Sequence, residues 1–409
     1  MHPRFPHLDR PLVGLVALVG LAGGLIGAAY VSTLHVLEGV LGPEQHSGVT
    51  QVAVLVAVGA AIGLLVRGLG DPGDVELLVD NIHVDGGSRD ARALRSLLPA
   101  SLLGIAAGSA LGPEAPLVQT GGVLGTEVAH WRGLDLEQTR VLAICGMASA
   151  FAVLFGAPLG SAIFALEILH RRGLEYYEAL LPALGGAFVG FAVFTGLEGV
   201  GYEPLITLPS AVDVSNVDLV WGGIAAVVGA GLAVAFTLAV TGLRRVAVRV
   251  PVLLRPAVGG LALGLVSLWS FAALTFGEAQ ISEIAGADLP VSTLAAALVA
   301  KLLASAVCLT TGWRGGFIIP LFFAGAAAGQ LLHHAIPSAD PTVLMAACMV
   351  ATNVGVTKTP LGSTLVVAKM AGLQLLPSTT LAALGALLLT SPVNLIASQR
   401  QRSATEVPR

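Results

Sequence analysis

The residues best placed to do chemistry lie in one run, Gly108-Ser-Ala-Leu-Gly112-Pro113-Glu114-Ala115-Pro116-Leu-Val-Gln119-Thr-Gly121-Gly122. Pro113 and Pro116 suit the first turn of a helix, where the N–H that proline lacks would have no partner. Unpaired N–H groups and partial positive charge at a helix start make an anion site. Glu114 falls in that first turn, inside an apolar stretch, where a carboxylate is costly unless it meets a wet cavity or a partner. Two roles fit. Glu114 is a tethered anion that fills the site when ionised and leaves it when protonated or displaced, or it caps its own helix. A second run, Gly315-Gly316-Phe317-Ile318-Ile319-Pro320, has the same loop-then-helix character without a charge. Its free N–H groups could complete the same anion site, or it is an ordinary Gly-rich turn.

Other chemistries find less support. Gly68-Leu69-Gly70-Asp71 matches the G-x-G-D string of intramembrane aspartyl proteases. That reaction needs two carboxylates sharing a proton on helices within the bilayer, and no Tyr-Asp partner stands in another apolar span. There is no H-E-x-x-H zinc helix and no G-x-S-x-G elbow. Cys145, Cys308 and Cys348 lie widely spaced in apolar stretches and read as small packing residues, not a disulfide or zinc framework. No enzyme, metal or cofactor is therefore expected. Lys301, Lys358 and Lys369 also fall in apolar spans; they would lend a permeation path positive potential, or they snorkel or pair with acids.

The elements that must position these residues are membrane helices. In 409 residues, 55% are hydrophobic and 11% charged, less than half of the roughly 25% charged residues of soluble domains. A net charge of −4 gives no bulk basic field for nucleic acid. Apolar stretches run roughly over 11–39, 51–69, 94–112, 115–130, 137–170, 177–197, 217–244, 256–276, 290–311, 316–333, 342–357, 360–373 and 377–398. Several are shorter than the roughly 20 residues a span requires, and many contain Gly or Pro. Short, broken segments of this kind surround binding sites near the bilayer midplane. Basic clusters at Arg89/Arg92/Arg95, His170-Arg171-Arg172, Arg244-Arg245 to Arg255 and Arg400/Arg402 contrast with acidic segments around Glu198–Asp218 and Glu278–Asp288. The positive-inside rule puts the basic loops and both termini in the cytoplasm. The expected divisions are a cytoplasmic N-terminus at 1–10, membrane repeats at 11–198 and 215–398, an extracellular linker at 199–214, and a short cytoplasmic tail at 399–409.

The repeats rest on matched strings. Gly156-Ala-Pro158-Leu-Gly160-Ser161 parallels Lys358-Thr-Pro360-Leu-Gly362-Ser363, and Gly112-Pro-Glu-Ala-Pro116-Leu117 parallels Gly316-Phe-Ile-Ile-Pro320-Leu321, in the same order and at nearly the same offset. The loop charges suggest that the two halves are inverted.

These strings resemble the CLC family of chloride channels and chloride/proton exchangers. Gly112-Pro-Glu-Ala-Pro-Leu-Val-Gln-Thr-Gly-Gly is similar to the family's G-[KR]-E-G-P-x-x-Q-x-G-G, and Gly316-Phe-Ile-Ile-Pro to its G-x-F-x-P. Phe155-Gly-Ala-Pro-Leu-Gly-Ser resembles the segment that follows the first motif, and Thr359-Pro-Leu-Gly-Ser the late A-P-L-T-G. The resemblance covers roughly residues 12–398. It implies an all-α polytopic fold of two inverted repeats of tilted and broken helices, a homodimer in the plasma membrane, and one anion pathway per subunit. It also implies Glu114 as the gating glutamate, and Gly112, Ala115, Gly316, Phe317 and Ile318 about the anion.

There are departures. The family's first anion motif, G-S-G-I-P, has its nearest match in Asp71-Pro72-Gly73-Asp74-Val75-Glu76, with Pro72 in the serine's place; Gly73 and Asp74 are then the anion-site candidates. The exchangers' inner proton glutamate aligns with Ile168, one residue past Glu167, and the pore tyrosine with Asn394. Leu77-Leu-Val-Asp80-Asn81-Ile82-His83 loosely resembles the family's fluoride-exporting branch, which also lacks the serine. The expectation is a chloride-type anion conductor gated by Glu114 and passive for want of the inner glutamate. The alternative is a fluoride/proton antiporter.

Overall fold

The computed structural model describes residues 10–73, 87, 91–169, 175–199, 206–211 and 215–395. Fifteen α-helices lie among the described residues: α1 (Arg10–Leu41), α2 (Gly48–Leu69), α3 (Leu94–Ala106), α4 (Glu114–Trp131), α5 (Leu136–Phe155), α6 (Pro158–Glu167), α7 (Glu175–Glu198), α8 (Asp218–Ala247), α9 (Arg255–Trp269), α10 (Glu278–Gly286), α11 (Val291–Thr311), α12 (Ile318–Ala335), α13 (Pro341–Thr357), α14 (Pro360–Ala371) and α15 (Leu376–Leu389). Seven are long and apolar enough to cross a membrane, and five more are apolar but shorter.

The duplication is visible in the helix boundaries. Glu114 opens α4 and Ile318 opens α12, 204 residues later, and both helices have 18 residues. Pro158 opens α6 and Pro360 opens α14, 202 residues later. The apolar run 137–170, continuous in sequence, is broken here: α5 closes on Gly156 in the left-handed region and Pro158 restarts the chain as α6. In the second half Lys358 takes the same left-handed conformation, at φ 60°, before Pro360. A residue at positive φ followed by a proline that fits a new first turn is a strong stop-and-restart signal.

Helix contacts repeat as well. A Cβ on Gly121 or Gly125 of α4 would run into the backbone of Gly146 or Leu142 of α5, and one on Gly325 or Gly329 of α12 into Met349 or Met345 of α13. Small residues at such crossings let backbones approach closely, which drives helix association in lipid. The α6–α14 crossing joins the halves: a Cβ on Gly160 would lie 2.9 Å from Val366 N, and one on Gly362 2.5 Å from Phe164 Cα. Within α5 Phe151 stacks on Phe155 at 5.6 Å, and Phe155 crosses between the halves to meet Phe322 of α12 edge-on at 6.2 Å. Helix α5 is the most enclosed of the long spans, whereas α1, α2 and α8 keep Leu25, Leu64 and Val227 exposed on outer faces suited to lipid.

The cysteines are free and buried. Neither Lys301 nor Lys358 pairs with an acid among the described residues. Lys301 is fully buried and donates to Leu274 O, Thr275 O and Gln280 Oε1 at 2.6–2.9 Å. Lys358 donates at 2.7 Å to Gly355 O of α13 and to Thr390 O and Oγ1 at the end of α15. A cation is favoured at helix C-termini because it meets unpaired carbonyls there. Glu167 does not bridge to Lys369; its carboxylate accepts from Leu361 N at 3.1 Å and Gly362 N at 2.8 Å, capping α14 from the other half. Substituting Glu167→Ala removes that cap and is expected to cost about 1–2 kcal/mol. The readout is a lowered Tm in detergent, with anion selectivity unchanged.

Candidate functional site

Helices α4 and α12 begin at the same place. The loops before them pair as an antiparallel bridge, with Gly112 N donating to Gly316 O at 2.8 Å and Gly316 N to Gly112 O at 2.7 Å. Two residues beyond each end of this bridge a helix starts, one from each repeat, so two sets of unpaired N–H groups converge.

The irregular backbone that leads to the bridge has its carbonyls satisfied, as membrane depth requires. Ala107 O accepts from Gln51 Nε2 at 2.8 Å, Gly108 O from Thr275 N at 3.0 Å, and Ala110 O from Ser305 Oγ at 2.8 Å. Opposite, Trp313 Nε1 donates to Pro256 O at 2.8 Å. Four other elements thus hold the two loops.

Glu114 is 1% exposed. Its Oε1 accepts from Ile319 N at 2.6 Å, so the carboxylate caps the opposing helix α12. Its Oε2 has no hydrogen-bond partner among the described residues. The two bridge glycines form the cradle. A Cβ on Gly316 would stand 2.6 Å from Glu114 Oε2, and a Cβ on Gly112 would collide with the same oxygen. Glycine is needed at both for a carboxylate to lie flat on the bridge.

The start of α12 is braced from below. Asn353 Nδ2 donates to Ile318 O at 3.2 Å, while Asn353 Oδ1 accepts from Thr357 Oγ1 at 2.9 Å and Ser363 Oγ at 3.3 Å. Thr359 Oγ1 closes the ring, 2.7 Å from Thr357 Oγ1 and 2.9 Å from Ser363 Oγ. All four side chains are buried. Asn353→Leu would leave a buried carbonyl and two hydroxyls short of partners, at about 1–3 kcal/mol for an unsatisfied group. A Tm lowered accordingly, with α12 less firmly seated, is the expected result by thermal melting.

A cavity of about 130 Å³ opens beside Glu114, several times the space one water needs. Of the sequence candidates, Gly73, Glu114, Ala115, Gly316, Phe317 and Ile318 line it, and Gly112 forms the bridge above. Ile168, which the sequence aligns with the exchangers' inner glutamate, also lines the cavity. Asn394 is not; its neighbour Leu395 is. Asp74 and the Asp80–His83 segment lie outside the described residues. Asp71 is exposed and pairs with Arg314 at 2.8 Å.

Three polar lining residues were not among the sequence's site candidates. Gln119 Nε2 donates to Pro72 O at 3.2 Å, docking the 71–73 loop on α4. Arg244, at the end of α8, and Arg314, just before the bridge, also line the cavity. The Trp313-Arg314-Gly315-Gly316 spacing was the available signal for Arg314, since a residue two before the bridge glycine must lie at the cradle's edge.

Residues 73–391 match the family model described as voltage gated chloride channel. A chloride/fluoride channel protein of Pseudomonas syringae pv. tomato is 29% identical, over 95% of this chain and 85% of that protein. The putative ion-transport protein YfeO of Escherichia coli is 28% identical, over 86% of this chain and 85% of that protein. The crystal structure of a CLC-type fluoride/proton antiporter superposes with a TM-score of 0.84 at 21% identity, covering 95% of this chain and 98% of that one. A slow cyanobacterial Cl−/H+ antiporter superposes with a TM-score of 0.78 at 20% identity, covering 92% and 94%. Motifs, fold and family match converge on one conclusion: the chain belongs to the CLC family of voltage-gated chloride channels and their transporter relatives.

Proposed function

We propose that the protein moves a small monovalent anion, chloride in the first instance, through the cradle between α4 and α12, with Glu114 as its gate. The observation that carries this reading is the Glu114 carboxylate itself. It accepts from an N–H of the opposing helix, where a diffusible anion could also be held, and it borders a cavity. A carboxylate so placed competes with a diffusible anion for one site. When it is protonated or displaced, the N–H groups become available to the permeating ion. Gly112, Ala115, Gly316, Phe317 and Ile318 shape the space that ion would enter, with Gly73 also lining the cavity. Passive conduction is favoured because Ile168, which lines the cavity, has no proton to exchange. Function as a homodimer in the plasma membrane, with both termini cytoplasmic, completes the reading.

Fluoride/proton antiport is the second reading. Pro72 replaces the serine of the first anion motif, and one relative is named as a chloride/fluoride channel protein. Efflux from proteoliposomes decides between the two, with chloride and fluoride compared and pH recorded on both sides. Chloride flux that follows the imposed voltage and moves no protons supports the first reading. Selective fluoride efflux coupled to uphill proton movement supports the second.

A further inference from the structure

We propose that Arg314 forms an anion-recruiting site at the mouth of the cavity, doing with a guanidinium what the family's serine would do with a hydroxyl. The inference rests on the anion-conduction reading above and adds the residue that captures the ion before it reaches Glu114.

The geometry supplies the argument. Arg314 precedes the bridge glycine Gly316 by two residues and lines the same cavity as Glu114. Its guanidinium is held from the other repeat: Nη1 donates to Gly73 O at 3.0 Å and Nη2 to Asp71 Oδ1 at 2.8 Å. Those contacts orient the group and leave Nε–H buried, with no partner among the described residues. The side chain is 17% exposed, whereas that of Asp71 is 73% exposed. Water therefore screens the carboxylate well and the arginine poorly, and the pair leaves net positive potential on the cavity side. A buried donor without an acceptor is an unmet demand, and a guanidinium donor in a wet cavity is suited to an anion.

Position adds to this. The loop that Arg314 grips is Asp71-Pro72-Gly73, which carries no side-chain hydroxyl or N–H donor. Arg244 lines the same cavity and belongs to a basic run that the positive-inside rule places in the cytoplasm. Two cations at one mouth and a carboxylate at the cradle give an anion a graded path, with capture at Arg314 and competition at Glu114. Clefts lined with one sign of charge focus the field in this way and raise the local counter-ion concentration.

The test is equilibrium binding of chloride, and separately of fluoride, to the detergent-purified full chain by calorimetry, paired with the chloride dependence of proteoliposome efflux. R314Q is expected to raise the half-saturating chloride concentration about tenfold, the loss of one charge-assisted hydrogen bond. R314K should recover part of that loss. D71N removes the opposing acid and leaves the cation, so it should tighten binding about two- to fivefold. A role confined to pinning the 71–73 loop would instead make D71N and R314Q fail together. That result, or a folded R314Q with unchanged affinity, overturns the proposal. If wild-type protein neither binds nor passes either anion, the conduction reading itself has failed. Wild-type binding with an unaffected R314Q sinks only the role of Arg314.

Discussion

Glu114→Gln is expected to abolish the pH dependence of anion flux and to hold the pathway open at neutral pH. The Glu114 carboxylate accepts from Ile319 N and lies against Gly112 and Gly316; on the proposed reading its ionised form excludes the permeating anion there. Protonation weakens that attachment, so wild-type flux should rise as pH falls. A glutamine has the size of the protonated acid and no charge at any pH. Its amide oxygen can still accept from Ile319 N, but a neutral hydrogen bond is worth about 0.5–1.5 kcal/mol, against about 1.5–3 for a charged one. The difference makes the closed cradle about tenfold less occupied. The variant's neutral-pH efflux should therefore approach the acid plateau of the wild type and stay flat across the titration. Chloride efflux from proteoliposomes over an acid-to-neutral series measures this directly. A variant that follows the wild-type curve would remove Glu114 from the gate and return it to the role of a helix cap. The same outcome would leave the unpartnered Oε2 without a functional account.

The fold and the centre of the site were legible for specific reasons. Apolar stretches interrupted by Gly and Pro announced membrane helices that stop and restart, because a proline fixes where a new first turn begins. Glu114 stood out because a carboxylate in such a stretch needs a justification. Pairing between the repeats was less visible. The Gly112–Gly316 bridge is made by backbone groups, and two glycines in separate loops do not announce that they pair, so sequence left open whether Glu114 is a tethered anion or caps its own helix. Arg314 was missed because its nearest partners, Asp71 and Gly73, are 243 and 241 residues distant, and an arginine in a Gly-rich loop reads as a surface residue. Lys301 and Lys358 found partners that sequence did not suggest. A lysine in a span suggests an acid or an aqueous exit, whereas carbonyls at helix ends and bends satisfy both ammonium groups. Asn394 shows the limit of alignment by spacing, since a shift of one residue is enough to put Leu395 on the cavity wall in its stead.

The largest effect on stability is expected from one of the smallest changes, Gly146→Ala. With 51 glycines in the chain, sequence alone does not distinguish those that merely tolerate a helix from those on which the assembly depends. Contact geometry does. Gly121 of α4 and Gly146 of α5 face one another, and a Cβ on either would strike the other's carbonyl oxygen. Both obstacles are backbone, so no side-chain rotation relieves them. Helix α4 carries Glu114 on its first turn, and separating α4 from α5 would move that turn away from α12. Overpacking typically costs about 1–3 kcal/mol, and more where the backbone cannot shift, so Gly146→Ala should lower Tm sharply or prevent a monodisperse protein from forming in detergent. Gly231→Ala is the control. It lies in α8 with nothing within 4 Å of an added Cβ, and removing a helix-interior glycine there should be neutral or stabilising by up to about 1 kcal/mol. Size-exclusion profiles and thermal melts of the two variants give the comparison. Equal stability would mean that α4 and α5 can slide apart by the width of a methyl group without cost, and the closeness of that crossing would then not be what holds Glu114 on the cradle.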